Sequence, residues 1–274
     1  MKIFKNYLLI LLSLCLFSCT EEVIDLDLET AKPRLVIDAS IDWVKNTSGN
    51  EQKIKLSTTT GYYNNEFPTV SGANIVLTSS TNVTFPFIET PGTGEYICTN
   101  FQPVIGETYT LTISLNGEIY TATETLMEAP SIENNIEQHN TGGIGGDEVE
   151  ITYYYQDDAT QQNNYLRSVK NPHVAFPEYE PENDESNQGN LVPVYYSNED
   201  LKTGDIVTIK LYGISKKYYD YFRKILNASG ADTGQFPTTP GSVRGNILNQ
   251  TNAKNFAYGY FRLSEVDVKD YTIQ

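Results

Sequence analysis

Cysteine, histidine, tryptophan and methionine are scarce in this chain of 274 residues, with three, two, one and two copies respectively. Two histidines, His139 and His173, lie in separate polar segments, so there is little material for an imidazole-based metal centre or acid–base pair. No HExxH, CxxC or GxSxG pattern occurs, and the glycines of "TGGIGGDE" lack the spacing of a dinucleotide or phosphate loop. After Phe17 no apolar run is long enough to span a bilayer as a helix. Positive charge is short as well, with 19 Lys and Arg against 35 Asp and Glu and a net charge of −16. That balance excludes nucleic acid as a partner and disfavours an anionic lipid leaflet.

What is present at the N-terminus is a short export signal. Lys2 and Lys5 precede an apolar stretch from Tyr7 to Phe17, which then stops at Leu16-Phe17-Ser18-Cys19. A small residue directly before a cysteine at the end of such a stretch is the pattern of a bacterial lipobox. Phe17 is bulkier than the usual occupant of its position. Residues 1–18 are therefore expected to be removed and Cys19 to carry lipid. Each buried methylene of an acyl chain contributes about 0.8 kcal/mol, so several chains hold a protein on a membrane almost permanently. Loss of Lys2 and Lys5 leaves 17 basic against 35 acidic residues, a net charge of about −18. Cys15 leaves with the signal and Cys19 bears lipid, so Cys98 is left without an intrachain disulfide partner and reads as a small buried hydrophobe.

Residues 19–32 read as an acidic tether. From Pro33 the texture becomes short β-branched and aromatic runs separated by turn residues. "RLVIDASID" places Leu35 and Ile37 on one face, and "QKIKLSTTT" does the same with Ile54 and Leu56. Asn116-Gly117 between "TYTLTISL" and "EIYTATETL" predicts a tight type I′ hairpin. About seven such strands over residues 33–128 predict an immunoglobulin- or transthyretin-like β-sandwich. Residues 129–274 predict a second β-rich domain opened by "EVEITYYYQDD", with Val149, Ile151, Tyr153 and Tyr155 on one face. The glycine cluster before it reads as a flexible hairpin tip. One amphipathic helix is expected near 215–229, from Tyr218, Phe222, Ile225 and Leu226 at helical spacing, with Ser215 as cap and Gly230 just beyond.

The chemistry-bearing candidates are few. Both histidines read as solvated loop residues. The acidic stretch from Pro177 to Asn190 has oxygen donors for Ca²⁺ but lacks the order of an EF-hand loop. Its two prolines and clustered like charge instead predict a mobile, hydrated insertion. Tyrosine is abundant at 20 copies. Those at 153–155 and at 218, 219 and 221 suit sheet or core packing, whereas Tyr62 and Tyr63 in "GYYNNEFP" are candidates for ligand or partner contact. No catalytic residue, metal ligand or cofactor is assigned, and a non-catalytic protein is expected.

The segments "SCTEEVIDLDLE", "RLVIDASI", "VSGANIVLTSS", "GETYTLTISLNGEIYTATETL" and "TTPGSVRGNILNQTN", in this order and spacing, carry a resemblance. The chain resembles the Bacteroidetes outer-membrane lipoproteins catalogued as domain of unknown function 4249. The resemblance implies an outer-membrane lipoprotein working beside a TonB-dependent β-barrel transporter, as an accessory or substrate-capture partner. A stand-alone surface module for glycans or peptides is the other expectation. Acidic residues after the lipidated cysteine resemble a surface-export signal in such proteins. Glu21 and Glu22 fit it, which implies display on the cell exterior. Many family members continue into a tail with paired cysteines that this sequence does not contain.

Overall fold

The computed structural model describes residues 32–61, 64, 66–230 and 242–274. Cys19, Glu21, Glu22, Tyr62 and Tyr63 lie outside the described residues. By its contacts the chain divides into residues 1–32 and residues 33–274, and the strands and helix among the described residues all belong to the second unit.

The protein is mainly β, as its alternating runs predict. Seven strands come first: β1 (Leu35–Val44), β2 (Gln52–Thr58), β3 (Asn74–Ser79), β4 (Thr84–Thr90), β5 (Glu95–Cys98), β6 (Thr108–Leu115) and β7 (Glu118–Thr125). Their burial alternates with period two, so each strand offers one apolar face, as in β2, where Ile54 and Leu56 are fully buried between exposed lysines. Asn116 and Gly117 both adopt positive φ, 49° and 79°, and close β6 onto β7 with Leu115 opposite Glu118. This is the backbone that a two-residue type I′ turn requires.

Eight further strands and one helix follow. They are β8 (Glu137–Gly142), β9 (Glu148–Gln156), β10 (Asn164–Lys170), β11 (Glu178–Asn183), β12 (Leu191–Asn198), β13 (Ile206–Gly213), α1 (Lys216–Ser229), β14 (Leu248–Asn249) and β15 (Tyr258–Thr272). Twelve strands bond side by side in the order β11-β10-β13-β15-β1-β2-β5-β4-β3-β6-β7-β14, and β12-β9-β8 form a second sheet. The long sheet curls over itself at β4, which pairs with β3 through Thr84–Phe87 and with β5 through Ile88–Thr90. The inward residues of β1, β2 and β5 then share one core with those of β3, β6 and β7.

The strand β15 is 15 residues long and links all three apolar groups of the interior. Phe261 and Leu263 pack with the first seven strands, Tyr260 and Val266 pack under α1, and Tyr271, followed by Ile273 just past the strand's end, joins the core between the two sheets. It runs parallel to β1 over nine residue pairs, from Val36–Tyr258 to Val44–Val266. The helix starts where Ser215 Oγ accepts the Tyr218 amide, and ends at Gly230 in the left-handed region.

Two expectations are corrected. The acidic stretch is no mobile insertion, because Glu178–Asn183 form β11, paired along its length with β10. The histidines are not both solvated loop residues. His139 sits on strand β8, though it is exposed. His173 is in a loop, but its Nε2 lies 2.6 Å from Asp205 Oδ2. Cys98 is buried and free, and burial pushes its thiol pKa up.

Candidate binding cleft

Strand alternation sets up a cleft between the two sheets of the C-terminal half. On β9, Ile151, Tyr153 and Tyr155 point into the gap, and Val192, Val194 and Tyr196 of β12 join them. On the opposite side, Tyr165 and Val169 of β10 face the same core, so Arg167 between them must face inward as well. A charge on an interior face needs a partner. It finds two on β11, whose register sets Glu180 directly opposite Arg167 and Glu182 opposite Tyr165. Arg167 Nη2 lies 2.9 Å from Glu180 Oε2, and its Nε lies 3.1 Å from Glu182 Oε2. The side chain is only 14% exposed.

Because β11 and β12 are both edge strands, the gap between the sheets is open along this side. It forms a cleft of about 220 Å³ between β11, β12 and the Arg167–Val169 stretch of β10, with Tyr153, Glu178, Glu180, Val194 and Tyr196 among its lining. Exposed aromatics flank the two edge strands. Tyr195 on the outer face of β12 is 66% exposed, Phe176, two residues before β11, is 81% exposed, and Tyr179 packs edge-on against Phe222 of α1 at 5.9 Å.

The inner end holds an unmet polar group. Tyr153 is fully buried and its hydroxyl makes no hydrogen bond. Burial pushes its pKa up to about 12, the Arg167 charge pulling against that and the Glu180 and Glu182 carboxylates adding to it. Arg167 Nε is likewise without a hydrogen bond, because its approach to Glu182 is poorly aligned. Its neighbours are satisfied: Tyr155 Oη donates to Glu182 Oε2 at 3.2 Å, and Asn171 Nδ2 donates to Tyr196 Oη at 2.6 Å. Three glutamates against one arginine leave the cleft with a local charge of about −2.

Two other hollows have a plainer character. The larger, about 540 Å³, is a shallow trough on the outer face of β1, β2 and β5, where Asp38 stands opposite Lys55 and Lys53 bonds Glu95 at 3.0 Å. Its charges answer one another in water. The other, about 250 Å³, contains Asp157, already held by Tyr165 Oη at 2.6 Å and the Gly189 amide at 2.8 Å. Among the described residues no cluster of three or more His, Cys, Asp or Glu could hold a metal ion. Asp184 of the acidic stretch is buried and accepts the Asn163 amide at 2.6 Å, so this carboxylate serves the fold. The pair His173–Asp205 receives no hydrogen bond from a serine, threonine or cysteine among the described residues.

Of the residues singled out in the sequence, Tyr153 is brought to the cleft, and Tyr218 and Tyr219 are buried on α1. Arg167 and Tyr195 were not anticipated, and Glu178 and Glu180 were read only as oxygen donors of the acidic stretch. Their only sequence signal is a lone arginine in an apolar run and an acid at every second residue of "EYEPE".

A family model described as a domain of unknown function, DUF4249, matches residues 21–270. The chain belongs to the DUF4249 family. No curated protein matches it. Among solved structures, a cytokine receptor complex aligns at 7% identity over 65% of this chain and 89% of the other, with a TM-score of 0.26. A segment of two fibronectin type III domains from chicken tenascin aligns at 12% identity over 67% and 91%, with a TM-score of 0.22. A DUF4785 family protein of Legionella pneumophila aligns at 8% identity over 65% and 52%, with a TM-score of 0.25.

Proposed function

We propose that this DUF4249 protein is a non-catalytic lipoprotein of the outer membrane, held by lipid on Cys19. In this reading it is the accessory or substrate-capture partner of a TonB-dependent transporter, facing the cell exterior, with the cleft between β11 and β12 as its capture site. The observation that carries the proposal is Leu16-Phe17-Ser18-Cys19, a cysteine directly after a small residue at the end of a short apolar signal. The acidic leader after it, with Glu21 and Glu22, supports the exterior face. Among the described residues no helix is long and apolar enough to cross a membrane. A lipid anchor needs no such helix.

The partner is tested by purifying the protein from detergent-solubilised membranes with its lipid intact. Stoichiometric recovery of a β-barrel transporter is the expected result, and repeated recovery of the protein alone contradicts the accessory role. A second reading, a stand-alone surface module for glycans or peptides, is favoured by the exposed Phe176 and Tyr195 beside β11 and β12. On that reading ligand binding survives deletion of the transporter, and loss of binding at Tyr62→Ala/Tyr63→Ala locates the contact at those residues rather than at the cleft.

A further inference from the structure

We infer that the cleft between β11 and β12 takes a positively charged group, a primary ammonium or a guanidinium, carried on an aliphatic stem. The inference deepens the reading of the cleft as a capture site and is independent of the lipid anchor.

Charge comes first. Glu178, Glu180 and Glu182 stand on the inward face of one edge strand, and Arg167 is their one cation among the described residues. Arg167 touches Glu180 and Glu182, and Glu178 makes no ion pair among the described residues. An anion entering the cleft meets a net negative site in a protein that is itself strongly acidic, whereas a cation is drawn in by both. Glu180, at 70% side-chain exposure, remains open to the solvent side for a second partner.

Shape and surface agree. At about 220 Å³ the cleft is smaller than a pocket for a whole drug-sized molecule and suits a single side chain or a short alkyl amine. Val169 and Val194 offer apolar walls to a stem, and the ring of Tyr196 suits a cationic head. At the inner end the fully buried Tyr153 hydroxyl makes no well-formed hydrogen bond, Arg167 being the donor that bears on it. A donor-only group such as an ammonium or guanidinium meets that need without bringing an acceptor toward the carboxylates. A free amine or a lysine or arginine side chain of a peptide supplies the same chemistry. The chain paths of β11 and β12 on either side leave room for the latter to continue out of the cleft. Pro181 and Pro193 make both edges poor templates for strand addition, so the recognised element is the side chain rather than the peptide backbone.

The test is a binding titration of the mature protein with four probes: putrescine, the capped tripeptide Ac-Val-Lys-Val-NH₂, its glutamine counterpart Ac-Val-Gln-Val-NH₂, and cellohexaose. The lysine peptide is expected to bind at least tenfold more tightly than the glutamine peptide. That preference should fall about tenfold in Glu178→Gln/Glu180→Gln and diminish in 0.5 M NaCl. Tyr195→Ala, on the outer face of β12, should leave the preference for the lysine peptide unchanged. Putrescine binding as tightly as the lysine peptide assigns the site to free amines, and a clear advantage of the peptide assigns it to basic side chains. Either result supports the inference. Equal binding of the lysine and glutamine peptides overturns it, as does binding of none of the four. Binding of cellohexaose alone overturns the charge assignment.

Discussion

Asp42 and Arg262 share one ion pair but not one environment. Arg262 Nη2 lies 2.7 Å from Asp42 Oδ1, with side-chain exposures of 6% and 36%. The guanidinium also sits 4.9 Å from the Tyr212 ring and 5.2 Å from the Tyr218 ring, and its Nη1 lies 2.6 Å from Ser264 Oγ. Burial is the largest influence and opposes its charge, but the Asp42 carboxylate together with Tyr218 and Tyr212 outweighs it, so its pKa is raised. Removing the two partners should therefore have unequal effects. Asp42→Asn leaves a fully enclosed cation without its counter-charge and should cost about 3 kcal/mol. Arg262→Met leaves a carboxylate that can rehydrate and should cost clearly less. Urea denaturation of both variants checks the order, and equal losses would refute it. Neither partner was legible as such in the sequence, since Asp42 and Arg262 lie near opposite ends of the chain and meet only through the parallel register of β1 and β15.

At the scale of elements, the strands read well where alternation was clean and badly where the environment replaced it. The runs of β1, β2, β6, β7 and β9 announce their buried faces because one side of each is apolar. The strand β11 reads as a loop, since glutamates occupy the face that would normally be apolar and Pro181 interrupts it. Both features are tolerable at a sheet edge: proline has no ladder bond to forfeit there, and Arg167 answers the inward carboxylates. The cleft was hidden for the same reason, because it depends on which strands end up at the edges. A second element-scale device is Gly259, at φ +102°, where a Cβ would overlap the Ile37 carbonyl oxygen. This is where β15 begins its parallel run beside β1. Gly259→Ala should cost about 3 kcal/mol or more, combining a disfavoured φ with a backbone clash. A melting-temperature measurement checks it, and a loss below about 1 kcal/mol would show that the two strands can separate locally at little cost.

For the whole molecule, tyrosine and acidity set the limits of stability and the choice of partner. Tyr153 and Tyr221 are pushed up to about 12, in both cases chiefly by burial, and Tyr155, Tyr165 and Tyr260 are raised further. A phenol with a folded pKa above its unfolded value of about 10 contributes stability that is complete below pH 10. That contribution is lost as pH rises through the folded value. The protein should therefore hold its melting temperature up to about pH 10 and lose it steeply toward about pH 12. The tyrosinate absorbance of these buried residues should appear together with unfolding rather than before it. Ionisation of all 20 tyrosines near pH 10 in a still-folded protein would contradict this burial.

The role proposed for this molecule depends on lipid at Cys19 as its link to a membrane. The most direct measurement is mass spectrometry of the N-terminal peptide of protein taken from the membrane fraction. The mature chain should begin at Cys19 and carry a diacylglyceryl group on its sulfur. An unmodified Cys19, or a mature chain that begins elsewhere, would contradict the proposed anchoring.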